Sequence, residues 1–226
     1  MAIAIVGAGG HGRVALECLE LAAGEPQDAV FFDDNWESID PIENVPVLGP
    51  IASLAHNLRF ADVFVAIGSN RVRQKVFSEL LAAGKHILTI THPHTMISPR
   101  ATLQEGVIAI PGTVVNRDAR IGCGVILNTL CSVGHDCIVE DFSQVAPGVN
   151  LGGAVVIGEG VFLGIGTKVV PEAQIGAWSI VGAGSVVLND LPSGVFCHGS
   201  PARVIRPLRP DELPFEMGAS RYHGQE

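Results

Sequence analysis

The chain has 226 residues, room for one large domain or two small ones with cores of their own. Hydrophobic residues make up 47% and charged residues 16%, which excludes a disordered chain. The net charge is −9 and no lysine/arginine cluster is present, which argues against a nucleic-acid partner. No apolar run reaches the ~20 residues of a membrane span. The opening MAIAIVGAGG lacks the length and basic flank of a signal peptide and reads as a strand. Five cysteines, an odd number without a pairing pattern, fit a reducing cytoplasm.

In chain order, IAIVGAG (3–9) is an apolar strand running into glycines, and GRVALECLELAAG (12–24) has helical spacing with Gly24 as its stop. AVFFDD (29–34) is a second strand ending in acids. ADVFVAIGSN (61–70) is a third, followed by the helical RVRQKVFSELLAAG (71–84), and HILTI (86–90) is a fourth. Strands alternating with helices over short connections predict a parallel sheet.

A different pattern begins at Ile97. Every sixth residue from there to Val187 is Ile, Leu or Val, with Ala109 the one exception, and the register never slips. Four residues after each comes a small or β-branched residue, as at Thr113, Cys131, Cys137, Ser143 and Ser185. Glycine often follows the aliphatic residue directly, as at Gly134, Gly152 and Gly164, and is expected to serve corners needing unusual backbone angles. This is a hexapeptide repeat, the mark of a parallel β-helix with three six-residue sides per coil. The span predicts about five coils, and residues eighteen apart stack on one another.

The stretch VGHDC (133–137) contains the chemistry-bearing residues of the repeat. Cys131 and Cys137 fall in the small-residue row, where Val, Thr, Ser and Ala otherwise stand, so they need no metal to explain them. His135 lies off the interior rows. Asp136 beside it can hold the imidazole, and the eighteen-residue ruler sets Gly153 one coil above. His92 and His94 read as a connector into the first coil. GAGGHG (7–12) is a GxGxxG placed between a strand and a helix, the context in which it binds phosphate, with Asp33 ending the next strand.

The combination resembles the PglD/NeuD-type bacterial sugar acetyltransferases over nearly the whole chain. The resemblance rests on GAGGHGR (7–13), FFDD (31–34), IGSN (67–70), HPHTMIS (92–98), NTLCSVGHDCIVEDFSQVAPG (128–148) and HGSPARVIR (198–206). It implies a Rossmann-like nucleotide-sugar domain (1–93), a left-handed β-helix acetyltransferase domain (94–190) and a C-terminal extension (191–226). It implies acetyl-CoA as co-substrate, no metal, and transfer to the 4-amino group of a nucleotide-linked sugar, a UDP sugar favoured. Transfer to a sugar hydroxyl, as of sialic acid, and a non-catalytic nucleotide-binding scaffold stay open.

Carried over residue by residue, the resemblance makes His135 the general base, with Asp136 and Asn128 beside it and Gly153 as oxyanion donor. Gln144, Gly153, Ile165, Ala183 and Arg203 are expected on acetyl-CoA. Gln144 stands where the family often has a second histidine, and a glutamine can donate a hydrogen bond but cannot titrate. Gly9, Gly10, His11, Gly12, Arg13, Asp33, Asp34, Gly68, Ser69 and Asn70 are expected on the nucleotide sugar, with Arg13 or Arg73 neutralising phosphate. The uninterrupted repeat has no loop to wall a pocket, so neighbouring subunits are expected to supply the walls, and the resemblance implies a homotrimer with sites between subunits.

Overall fold

The computed structural model describes residues 2–209. The N-terminal unit is a parallel sheet of β1 (Ile3–Val6), β2 (Ala29–Phe32), β3 (Asp62–Val65) and β4 (His86–Ile87) in the order β2-β1-β3-β4. Helix α1 (Gly10–Ala23) follows β1, a single turn α2 (Ile51–Leu54) precedes β3, and α3 (Asn70–Ala82) follows it. The strand order reverses between β1 and β3, so the loops leaving their carboxyl ends open a crevice between them. Gly7 has φ +100, and a Cβ on Gly12 would stand 2.0 Å from the Gly7 carbonyl oxygen. These two glycines let α1 start immediately against β1.

The coil begins earlier than expected. Of the segment HILTI, His86–Ile87 pairs with β3, whereas β5 (Ile90–Thr91) already pairs with the coil strand Ile108–Ala109. Sixteen two-residue rungs, β6 (Met96–Ile97) to β21 (Val186–Val187), follow every six residues. They form three parallel sheets with partners eighteen residues apart, such as Ile126 with Gln144 and Arg120 with Ile138. The coil also ends later than expected: β22 (Val195–Gly199) pairs in parallel with Ile180–Val181, and β23 (Ala202–Pro207) folds back on it. The solenoid therefore makes about six turns rather than five. The tail beyond residue 209 lies outside the described residues.

Inside the coil, the aliphatic residue of each repeat stacks on its neighbours one turn away, giving a continuous core from Val107 to Ala202. The small-residue row is fully buried at Thr113, Ser143, Thr167, Ser179 and Ser185. Their hydroxyls donate to corner carbonyls, as Ser143 Oγ to Gly158 O at 2.8 Å and Ser185 Oγ to Gly182 O at 2.6 Å. A small side chain fits the space and its hydroxyl gives the corner carbonyl a donor.

The glycines after the aliphatic residues serve a different purpose from the one expected. Left-handed backbone occurs two positions later, at Gly106, Asp118, Leu130, Asp136, Phe142 and Trp178 among others, glycine or not. At Gly134 the constraint is space. A Cβ there would lie 2.4 Å from Gly152 O of the next coil, and one at Gly164 would lie 2.6 Å from Ala183 N. The turns stack too closely at these corners for any side chain.

The two units share cores. Ile108 and Ile126, on the outer face of the coil, pack with Ala15, Leu16 and Cys18 of α1. Phe142 packs edge-on against Phe77 of α3, with ring centroids 5.3 Å apart. Arg73 of α3 lies fully buried in this seam. Its Nε donates to Gly124 O at 2.8 Å, Nη1 to Ile67 O at 2.9 Å and Gly68 O at 3.2 Å, and Nη2 to Asn70 Oδ1 at 2.9 Å and Phe142 O at 2.8 Å. Asn70 Nδ2 extends the clasp to Gly160 O at 3.1 Å. Burial lowers the Arg73 pKa to about 9, so the guanidinium is charged at neutral pH. Arg73→Leu leaves several buried carbonyls without a donor and is expected to cost on the order of 3–5 kcal/mol, measured by urea unfolding.

Candidate active site between the glycine loop and the coil

A pocket of about 470 Å³ lies at the crevice between β1 and β3, where the sheet meets the coil. Gly9, Gly10 and His11 line it from the start of α1, and Gly68 and Ser69 from the loop before α3. The coil contributes Ile110, Ile126, Asn128, Thr129 and Gln144. Three polar atoms are buried here without a partner: His11 Nε2, Ser69 Oγ and Gln144 Oε1. Buried polar groups are almost always paired, so three orphans on residues that line one cavity set this region apart.

Burial, reinforced by the Arg73 cation, lowers the His11 pKa to about 4, so the ring is neutral at pH 7. Open space surrounds Gly9 and Gly10 at the helix start, which leaves their backbone N–H groups accessible to an anion. Arg13 lies elsewhere, lining a second pocket of about 410 Å³ with Ser38, Asp40 and Glu43.

Several expected ligand residues have other work. Arg73 and Asn70 do not line the pocket and instead hold the two units together, Arg73 away from any phosphate there and Asn70 away from the sugar. Asp33 accepts from Ala8 N–H at 2.9 Å and from Asn35 N–H at 2.9 Å, which ties β2 to the glycine loop. Asp34 accepts from Ile51 N–H at 3.0 Å. Neither carboxylate lines the pocket. Gly12 is buried against Gly7 and acts through packing alone.

His135 sits at a different edge. Its Nδ1 meets Asp136 Oδ2 at 2.7 Å, leaving Nε2 free, and both side chains are more than half exposed. Gly153, on the next coil, lies against the ring: a Cβ there would stand 2.5 Å from His135 Nε2. The Gly153 N–H has no acceptor among the described residues. Asp136 adopts φ 60, the left-handed corner that swings its carboxylate back onto the preceding ring. Asn128 does not join this group. It closes the preceding corner, facing the pocket, with its Oδ1 on Thr129 N–H at 2.9 Å. Ile165 and Ala183 stand exposed on that same Asn128 corner, two and three coils on, and Arg203 is exposed on β23.

Cys131 and Cys137 are fully buried, and burial pushes the Cys131 thiol up to about 11, far from a thiolate ligand. No group of three His, Cys, Asp or Glu is placed to hold a metal ion among the described residues.

His11 generates a pH prediction. Its folded pKa of about 4 lies below the ordinary 6.5, so the unfolded chain binds the proton more tightly. This contribution to stability is present above pH 6.5 and is lost as pH falls toward 4, by about 3 kcal/mol. His11→Gln is expected to flatten that part of the pH–stability curve, read by urea titrations at a series of pH values.

Residues 2–80 match the PglD N-terminal domain, and residues 154–189 match the bacterial transferase hexapeptide family of six repeats. The chain is 30% identical to GDP-perosamine N-acetyltransferase of Escherichia coli O157:H7, over 89% of this chain and 95% of that protein. A mutant of perosamine N-acetyltransferase from Caulobacter crescentus, solved with CoA and GDP-perosamine, superposes with a TM-score of 0.85 at 38% identity, covering 90% of this chain and 96% of that one. The acetyltransferase domain of PglB from Neisseria gonorrhoeae, in complex with acetyl coenzyme A, gives 0.85 at 32% identity, covering 90% and 98%. With its PglD-type N-terminal domain set on a left-handed β-helix of hexapeptide repeats, the chain belongs to the PglD-type sugar acetyltransferases and is an acyltransferase.

Proposed function

We propose that the protein transfers the acetyl group of acetyl-CoA to the amino group of a nucleotide-linked amino sugar. The observation that carries this reading is the pocket running from a phosphate-type glycine loop to the coil, with Gly9, Gly10, Ser69, Asn128 and Gln144 in its lining. In this reading the diphosphate meets Gly9 and Gly10 and the sugar lies at Ser69, Asn128 and Gln144. The Caulobacter relative, bound to GDP-perosamine, favours a guanosine-linked sugar over the uridine-linked one expected from sequence.

The amine attacks the thioester carbon, a C–N bond forms, and the C–S bond breaks. His135 Nε2 takes the proton the amine sheds and passes it to the departing thiolate, while Asp136 fixes the ring through Nδ1. The unpaired Gly153 N–H stabilises the oxyanion, a contribution of roughly 2.7–4 kcal/mol.

His135 and the pocket occupy different edges of one coil, separated by the face that carries Ser132–Val133. One chain does not bring them together. We infer that a neighbouring copy does, in a homotrimer, with acetyl-CoA in the groove between copies. Gly153 from one copy and Ile165 and Ala183 from the next then wall the same groove, with Arg203 near its mouth.

Thiol release with GDP-, UDP- and dTDP-linked amino sugars tests the reaction, and a chain inactive on all three fails it. His135→Ala is expected to lose about 10²–10⁴-fold in kcat while still binding both substrates. Gly153→Ala drives a methyl into the imidazole and is expected to cost about 100-fold in kcat, with unfolding unchanged. Light scattering should give a trimeric mass. A monomer with full activity at nanomolar concentration contradicts the shared site.

A further inference from the structure

We propose that Arg117 of one copy, supported by Arg100, binds the diphosphate of the nucleotide sugar held in the glycine-loop pocket of the next copy. The inference rests on the acetyltransferase reading and the shared groove described above. The pocket by itself is a poor host for a nucleoside diphosphate. None of the residues lining it is lysine or arginine, Arg73 is engaged in the seam, and Arg13 lines another pocket. His11 is neutral at pH 7. A cation for the phosphates has to come from elsewhere.

The edge that carries His135 supplies one. Arg117 precedes His135 by eighteen residues and lies one coil below it, and Asp136 N–H donates to the Arg117 carbonyl oxygen at 3.1 Å. The pair Arg117–Asp118 repeats the pair His135–Asp136. Asp118 adopts φ 61 as Asp136 adopts φ 60. Its Oδ2 accepts from Arg117 Nε at 2.8 Å, as Asp136 Oδ2 meets His135 Nδ1 at 2.7 Å. In both pairs the carboxylate engages the near nitrogen and leaves the far ones: Nε2 on His135, both Nη on Arg117. Arg100, one coil below Asp118, meets its other oxygen through Nε at 3.0 Å. Both arginine side chains are 63% exposed, and their Nη groups have no partner among the described residues. Two guanidinium groups thus share one carboxylate, with N–H forks left for a second anion.

Height along the coil decides which ligand they meet. In a closed ring of three copies with parallel coils, equal residues stand at equal levels. His135 then shares its level with Asn128 and Thr129 of the neighbouring pocket, and Arg117 with Ile110, one coil lower in the same lining. Ile165 and Ala183, on the acetyl-CoA side, stand at higher levels. A sugar ring separates the reacting amine from the diphosphate, and one coil step of about 4.8 Å separates His135 from Arg117. The phosphate that Arg117 meets therefore belongs to the acceptor.

Titration calorimetry on the intact chain with GDP, UDP, dTDP, their nucleosides and CoA tests the assignment. Arg117→Ala is expected to weaken the tightest diphosphate by about 10–100-fold and to leave its nucleoside and CoA within about twofold. Arg100→Ala should show the same pattern at smaller size, and urea unfolding should be unchanged in both. A second arm tests whether the arginine acts across copies. Gly9→Glu has open space for its side chain and sets a carboxylate at the phosphate-binding loop. Arg117→Glu reverses the opposite wall, and each variant alone should lose turnover of the nucleotide sugar. In mixed trimers of the two, about one site in four pairs an intact loop with an intact arginine, so about a quarter of wild-type turnover should return. The inference is overturned by mixed trimers that stay inactive, by a diphosphate affinity unchanged in Arg117→Ala, by an equal loss for the nucleoside, by a loss that falls on CoA instead, or by a wild type that binds no diphosphate. A wild type that binds a diphosphate yet acetylates no amino sugar overturns the acetyltransferase reading, while the titrations still decide the role of Arg117.

Discussion

The structure depends on one buried cation. Arg73 has no carboxylate among its hydrogen-bond partners; its acceptors are four backbone carbonyls and the Asn70 amide oxygen. A carboxylate would neutralise it but could reach only one place. Carbonyls let one planar group address the Ile67–Gly68 turn on one side and the coil corners at Gly124 and Phe142 on the other. The turn bonded to Arg73 includes Gly68, which lines the pocket together with Ser69. A shift of the coil relative to the sheet therefore changes the cavity directly. The same charge reinforces the burial that holds His11 neutral.

The coil supplies a lattice and the N-terminal unit selects positions on it. Repetition alone makes every corner nearly equivalent. Chemistry appears where the pattern is locally altered: His135 over a bare Gly153 at one edge, and Asn128 and Gln144 under the glycine loop at another. Close stacking of turns at the glycine corners makes the first arrangement possible, because an imidazole lies flat only where the next coil offers no side chain.

Much of this was legible in the sequence. The hexad register places each interior residue, and the eighteen-residue ruler brings Gly153 one coil above His135. GAGGHG between a strand and a helix marks the phosphate-type loop. What sequence missed is where one grammar meets the other. Nothing in NRVRQKV says that Asn70 and Arg73 turn toward the coil rather than the ligand, because both faces of that helix start carry polar residues. The coil's true start at Ile90 is hidden because Ile90 serves equally as a strand end of either unit. Asn128 and His135 are neighbours in sequence yet close different corners. The roles of the corner glycines follow from contacts eighteen residues away, which a single-residue propensity does not contain.

The seam has one further consequence. Gly106, Gly124, Phe142, Gly160 and Trp178 form one vertical column along the edge that receives α3, small at the lower levels and then alternating with aromatic rings. Phe142 meets Phe77 and Trp178 meets the Arg71 guanidinium at 4.3 Å, so the helix engages levels about 10 Å apart along the column. On an otherwise periodic rod, this column fixes an origin. A whole extra turn added beyond Trp178 lengthens the rod and leaves that origin alone. The same eighteen residues inserted between Gly124 and Gly160 separate the acceptors that Arg73 and Asn70 bridge. The segment beneath α3 is thus locked in number as well as in kind.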